Sequence, residues 1–493
     1  MLERLQPREV FQWFEEISMI PRGSGHVQRI QGWCVSFAEE RGLSYRTDAE
    51  GNVVIYKAGS AGCEHEAPLI LQAHLDMVCV KEEDCTLDMA SEGLALRTDG
   101  EKVWAEGTSL GADNGIGAAM ILAVLDSRTL VHPPIEAVLT ADEETGMYGA
   151  KALANDWIKG RRLLNLDSEK EGILYAGCAG GESVRCSMPV NREPFEERYW
   201  MLSVRGGTGG HSGINIGEGR ANAVILLGRL LAAAERDYDF RLVTLEGGTA
   251  GNAIPGEASA VLAAEQGTSL REFLMSAAAR LRDEFNETDP QLEIDLSEQT
   301  KPTQFMPMDR KSTKTAADML CLAPNGVQVM STVVEGLPQT SLNLGVVRCS
   351  ENEMTFQFSC RSSVTNQLEM IKEKLRRLCN LLGGSTEFRD RIPAWEYRAD
   401  SVLRETAVRI YEQKTGHEPK VTITHAGAEC GIFCGKWPEM DCVSYGPDIT
   451  HVHSTQESVN AGSVQRTWEF VICLLAELGK QEGQDAEESF GHD

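Results

Sequence analysis

A chain of 493 residues exceeds what one hydrophobic core normally organises, so at least two domains are expected, and a hydrophobic content of 42% is enough to fill both. The formal net charge of −27 argues against nucleic acid and against an anionic membrane surface as partners. The first eight residues hold no apolar signal core and no stretch reaches the roughly 18 unbroken apolar residues of a membrane helix, so a cytoplasmic protein is expected. Fourteen cysteines lie scattered, several in apolar segments, and read as reduced thiols; Cys430 and Cys434 stand four apart with no second pair to complete a zinc site, which makes packing the better reading.

In chain order, Pro68–Ala73 reads as a buried strand with His74 and Asp76 beyond its end. Gly107–Gly115 is a glycine-rich loop, and Ile116–Asp126 has helical character, which puts Asp113 at a helix N-terminus. Ile135–Ala141 is predicted to be a second buried strand delivering Asp142, Glu143 and Glu144, and Arg162–Leu166 a third delivering Asp167. Taken singly, each has an ordinary reading: a helix cap for Asp113, solvated charge for Glu143 and Glu144, a hydrogen-bonded histidine for His74, a turn residue for Asp167. Taken together, three polar clusters follow three strands, and open α/β sheets bind ligands at the carboxyl ends of their strands.

Further along, Arg220–Leu231 is predicted helical, Phe240–Leu245 extended, and Met354–Cys360 alternates as a strand before Arg361. Lys420–Thr424 is another strand, followed by His425 and Glu429 in a Gly/Cys-rich segment. His451-Val452-His453 offers two further candidate ligands, which would face the same way if extended. Because the polar strand ends lie early and these histidines late, the expected organisation is a catalytic domain interrupted by an insertion. Residues 1–188 and 387–480 are expected to form the catalytic domain, 189–386 the insertion, and 481–493 an acidic disordered tail. The expected fold class is α/β, with a mixed central sheet flanked by helices and an inserted α/β domain.

Imidazoles and carboxylates without a thiolate suit two divalent ions, zinc first, with cobalt or manganese as substitutes. A short carboxylate held rigidly, Asp113, is suited to bridge them. In His74-Leu75-Asp76 the i, i+2 spacing lets Asp76 hydrogen-bond the imidazole nitrogen turned away from the metal. Glu143 and Glu144 are adjacent and point apart in extended chain, so one ligates and the other can act as a base.

These residues resemble the di-zinc exopeptidase family that includes carboxypeptidase G, the aminoacylases and the carnosinases. The match runs through His74-Leu75-Asp76, Gly111-Ala112-Asp113-Asn114-Gly115, Asp142-Glu143-Glu144-Thr145-Gly146, Asp167, Gly210-His211-Ser212-Gly213 and His453. His74–Cys79, Ser109–Gly117, Asn165–Glu169 and His425–Gly431 are most similar to its aminoacyl-histidine dipeptidase branch, with Val80 departing where an acidic residue is expected. The resemblance implies His74 and Asp167 on one metal, Glu144 and His453 on the other, and Asp113 between them. His453 is preferred to His451 because His453-Ser454, with Glu457 four residues on, matches the last motif. Glu143 becomes the general base for a metal-bridging hydroxide, and His211 the oxyanion donor, from the other domain or a neighbouring subunit.

The resemblance also implies a lid of two related α/β units, with Asn252 and Arg361 contacting substrate, while Glu429 is expected to hold a free substrate amine. The expected activity is hydrolysis of dipeptides with a free N-terminus, Xaa-His among them, by a homodimer acting on small peptides. An aminoacylase or broader di- and tripeptidase is the alternative. A non-catalytic peptide-binding relative would have no need of Glu143.

Overall fold

The computed structural model of the chain describes residues 2–480 apart from residues 196, 266 and 303; the expected disordered tail, 481–493, lies outside the described residues. The chain divides into two compact units. One comprises residues 1–177, 397–422 and 428–493, the other residues 178–396 and 423–427.

The first unit is built on an eight-stranded sheet of β1 (Ser44–Thr47), β2 (Val53–Lys57), β3 (Leu69–His74), β4 (Ile135–Thr140), β5 (Arg162–Asn165), β6 (Ile173–Cys178), β7 (Lys420–Thr424) and β8 (Asp441–Ser444), in the spatial order β1-β2-β4-β3-β5-β8-β6-β7. At its centre β4, β3, β5 and β8 run parallel, whereas β1, β2 and β6 pair antiparallel, so the sheet is mixed. Every residue of β3 and β4 is buried, as their largely apolar composition requires of strands covered on both faces, and their polar members Gln72, Glu136 and Thr140 are hydrogen-bonded. The helix Ala112–Asp126 is buried on all sides from Asn114 to Leu125, which is why its sequence is apolar all round rather than striped. A small four-stranded sheet joins Ile449–Thr450 and Ser458–Asn460 to Lys102–Ala105 and Leu96–Thr98, and His453 lies in the turn of its hairpin.

The second unit carries a nine-stranded sheet, antiparallel in all its pairings, and the helices Ala223–Glu235, Gly267–Glu284, Arg310–Leu322 and Thr365–Leu381. Its core forms by alternation: Met354, Phe356, Phe358 and Cys360 of one strand point inward beside Val184, Cys186 and Met188 of the next. The helix expected from Arg220 begins at Ala223, because Asn222 caps it by accepting from the N–H groups of Val224 and Ile225.

Candidate metal centre

Three donor groups converge at the carboxyl ends of β3, β4 and β5: His74 with Glu143 and Glu144; His74 with Asp113 and Asp167; and Asp113 with Glu144 and His453. Within each group the donor atoms lie within 4.8 Å of one another. The groups overlap through His74, Asp113 and Glu144, so they form one continuous centre. His74 Nε2 is 3.1 Å from Asp113 Oδ1 and 3.3 Å from Asp167 Oδ1, and His453 Nε2 is 2.9 Å from Glu144 Oε1 and 3.3 Å from Asp113 Oδ2. Asp113 thus faces an imidazole on each side. An all-oxygen-and-nitrogen donor set sharing a carboxylate fits two divalent ions.

His453 and His451 do not lie in an extended segment. Both adopt positive φ in a turn, and of the two only His453 belongs to a donor group among the described residues. Asp113 likewise departs from a plain helix start: it and Asn114 have non-helical backbone angles, so the regular helix follows them. His74 is the last residue of β3 rather than the first beyond it.

Several groups hold the donors in place. Asp76, fully buried, lies 3.4 Å from His74 Nδ1 and accepts from the N–H groups of Glu143 and Glu144 and from the Ser24 hydroxyl. One carboxylate therefore orients three donor residues. Asn114 donates to Asp167 and, at 2.8 Å, to the Leu166 carbonyl. Buried Arg22 donates to the carbonyls of Leu75 and Gly111 at 2.9 and 2.5 Å, tying the end of β3 to the loop before Asp113. Gly111 has φ +65°, and a Cβ there would sit 2.6 Å from the Arg22 guanidinium, so both the turn and the packing demand glycine.

Beneath the donors, polar residues link the strand ends. Gln72 of β3 and Thr140 of β4 donate to Glu429 Oε2 at 2.6 and 2.7 Å; Asn165 of β5 donates to Gln72 Oε1 at 2.5 Å. Glu429 is completely buried, and its Oε1 has no hydrogen-bond partner among the described residues.

Burial, reinforced by the carboxylates of Asp167, Glu429 and Glu144 against the opposing pull of His74, pushes the Glu143 carboxyl well above its ordinary range. A carboxyl raised in this direction is a stronger base than an ordinary one. Burial together with the neighbouring Asp113 charge raises Asp167 to about 6, and hydrogen bonds to Asp113 and Glu144 raise His453 to about 10. Sequence reasoning assigned no role to Glu169. It is exposed as a residue, yet the protein around its carboxylate, together with the Asp113 and Asp167 charges, pushes it up to about 7. The sole signal was its place two residues after Asp167.

His211, Asn252 and Arg361 lie in the second unit. His211 pairs with Ala253 in a two-stranded ribbon, and the Ser212 N–H donates to the Asn252 carbonyl at 2.8 Å. His211 Nδ1 accepts from the N–H groups of Gly213 and Ile214 at 3.3 Å, so the neutral ring carries its hydrogen on Nε2. Burial and the Arg361 charge lower its pKa, favouring that neutral form. His425 Nε2 is 2.7 Å from the Ser341 hydroxyl, and burial with Arg361 lowers His425 to about 4.

A mixed α/β sheet with this donor set at its strand ends defines a metallopeptidase, and the chain belongs to peptidase family M20/M25/M40, whose model matches residues 70–477. It is 38% identical over 481 residues to the cytosol non-specific dipeptidase of Escherichia coli (strain K12), spanning 97% of this chain and 99% of that protein. The crystal structure of aminoacylhistidine dipeptidase from Vibrio alginolyticus matches with TM-score 0.90 and 38% identity, over 97% of this chain and 98% of that one. Aminopeptidase PepT from Bacillus cereus, at 15% identity and TM-score 0.55, covers 97% of this chain and 100% of its own; it shares the fold.

Proposed function

We propose that this chain is a di-metal dipeptidase that hydrolyses dipeptides with a free N-terminus, Xaa-His dipeptides among them. The observation that carries the reading is the overlap of the three donor groups through His74, Asp113 and Glu144, with Glu143 beside them. His74 and Asp167 would hold one ion, Glu144 and His453 the other, and Asp113 both; zinc suits these donors, with cobalt or manganese as substitutes. When bound, the two ions supply Lewis acidity and lower the pKa of water. Glu143 takes the proton of the attacking water and returns one to the leaving amine. Asp76 holds the His74 ring and the backbone of Glu143 and Glu144.

His211 donates its Nε2 hydrogen to the developing oxyanion, while Asn252 and Arg361 contact the substrate. The buried Oε1 of Glu429, with no protein partner among the described residues, supports recognition of a substrate ammonium. The names of the two relatives at 38% identity support dipeptides as the substrate class, and the first of them supports a cytosolic location. No helix of the described residues is long and apolar enough to cross a membrane. We also propose a homodimer with residues 189–386 as a lid.

The test is a panel of Gly-Gly, Leu-Gly, β-alanyl-histidine and their N-acetylated forms, assayed after chelation and after return of Zn²⁺, Mn²⁺ or Co²⁺. Metal-dependent cleavage is expected. Acetylation should lower kcat/KM by about tenfold or more, the loss of one charge-assisted contact. Equal cleavage of acetylated substrates would favour the aminoacylase reading.

A further inference from the structure

The first unit contains a cavity of about 520 Å³ whose lining includes Glu144 and Thr145. Its size falls in the range of small-molecule sites, about 300–1,000 Å³. We propose that it is a preformed subsite for one apolar side chain of the substrate, an inference that rests on the peptidase reading above. Pro21, Met77, Val78, Met89 and Ala90 line it. The charged residues of its lining are engaged nearby: Glu144 Oε1 lies 2.9 Å from His453 Nε2, Lys81 donates to the Leu87 carbonyl at 3.1 Å, and Asp88 accepts from the Ala90 N–H at 3.2 Å and from the Ser91 hydroxyl at 2.5 Å. Apolar surface is therefore left for contact.

The walls are fixed relative to the donors. The Ser24 hydroxyl donates to Asp76, the carboxylate that also holds the backbone of Glu143 and Glu144, at 2.8 Å. The Ser24 N–H donates to the Met77 carbonyl at 3.3 Å, and the Gly25 N–H to Asp142 at 2.6 Å. A Cβ at Gly23 would lie 2.8 Å from Cys79 Sγ, so this wall approaches the Met77–Cys79 segment as closely as glycine permits. A peptide whose scissile carbonyl lies at the donor groups thus has an apolar recess at Glu144. Contact there is non-directional and selects by size and hydrophobicity, gaining about fourfold in affinity per buried methylene. Leucyl, methionyl and phenylalanyl side chains fit that chemistry, and charged ones do not.

Ala90 is exposed, and Ala90→Trp fills the cavity from its surface. Steady-state kcat/KM would be measured for Gly-Gly, Leu-Gly and Gly-Leu on wild type and on the variant, with thermal melting as the check on folding. Wild type should prefer one leucyl isomer over Gly-Gly, and Ala90→Trp should reduce that ratio by about tenfold; the isomer that responds identifies the side chain accommodated. An unchanged ratio overturns the subsite. Wild type cleaving none of the three overturns the peptidase reading instead. Should the variant not fold, the exposed Cys79 thiol, which lines the same cavity, gives a second readout on wild type. A reduced-bond analogue of the preferred leucyl dipeptide should slow its alkylation, measured by peptide mass spectrometry, several-fold more than a saturating reduced-bond Gly-Gly analogue. Equal rates overturn the proposal.

Discussion

The backbone N–H of Asp113 donates to the carboxylate of Glu457 at 3.2 Å, the last of four consecutive donations from Leu110, Gly111, Ala112 and Asp113 to that one group. Glu457 lies four residues after His453, so a single side chain joins the hairpin that carries one candidate ligand to the loop that carries another. Arg22 grips the same loop through the Gly111 carbonyl, and the Glu457 charge favours its charged form despite burial. The donor positions are therefore set by a buried acid and a buried base neither of which belongs to a donor group.

Glu457→Ala removes the acceptor of four backbone N–H groups and leaves the Arg22 guanidinium buried without that counter-charge. Leaving a buried donor without its acceptor costs roughly 1–3 kcal/mol, and loss of a group that orients ligands costs about 10–100-fold in metal affinity. Urea unfolding and chelator competition measure the two. An unchanged unfolding midpoint would show that the loop holds itself.

Glu143→Ala and Asp113→Ala should separate proton transfer from metal retention. Under the proposed roles the first loses turnover by about 10²-fold or more while keeping its metal, and the second loses metal. Metal content and kcat on folded protein decide it; near-normal turnover in Glu143→Ala sinks the proposed mechanism.

The sheet that carries the candidate site was legible because its central strands are buried on both faces and read as largely apolar runs, with polar residues clustered beyond their ends. The alternating strand of Phe356 and Phe358 was legible for the complementary reason, a period of two. Arg22 was not legible: an isolated arginine in a loop reads as surface charge, and its burial follows from carbonyls brought to it from residues 75 and 111. Glu457 was visible only as part of a motif, because backbone N–H acceptance leaves no pattern in side-chain identity. The polar floor was hidden inside the apolar signal itself, since Gln72 and Thr140 are polar residues within mainly apolar buried strands and their partner Glu429 is remote in sequence.

Glu429 gives a pH dependence of stability. Burial, aided by the charges of Asp167 and Asp76, raises its carboxyl to about 7 from an ordinary 4.5. The folded chain then binds the proton more tightly than the unfolded one, so between about pH 4.5 and 7 stability falls as pH rises. Glu429→Gln keeps an acceptor for Gln72 and Thr140 without the charge. In chelator-treated protein it should gain about 3 kcal/mol over wild type above pH 7 and nothing well below pH 4.5. Denaturant titrations at pH 4.5 and 8 check this, and an equal difference at both pH values counts against a buried titrating carboxyl.

His211 belongs to the second unit, whereas every donor of the candidate metal centre belongs to the first, so metal binding and turnover can be read apart. Its Nδ1 accepts two backbone N–H groups, which leaves Nε2–H as a donor, and its lowered pKa keeps the ring neutral at pH 7. A neutral donor of this kind is worth about 10²–10³-fold in kcat when it meets a developing oxyanion. His211→Ala should therefore retain its metal content and lose kcat on that scale, and His211→Gln, which keeps an N–H, should recover part of it. Mixing inactive His211→Ala with inactive Glu143→Ala distinguishes the origin of the donor. If it comes from a neighbouring subunit, verified subunit exchange restores activity through one intact site per heterodimer; without recovery, the donor acts within its own chain. Wild-type kcat in His211→Ala refutes the donor role itself.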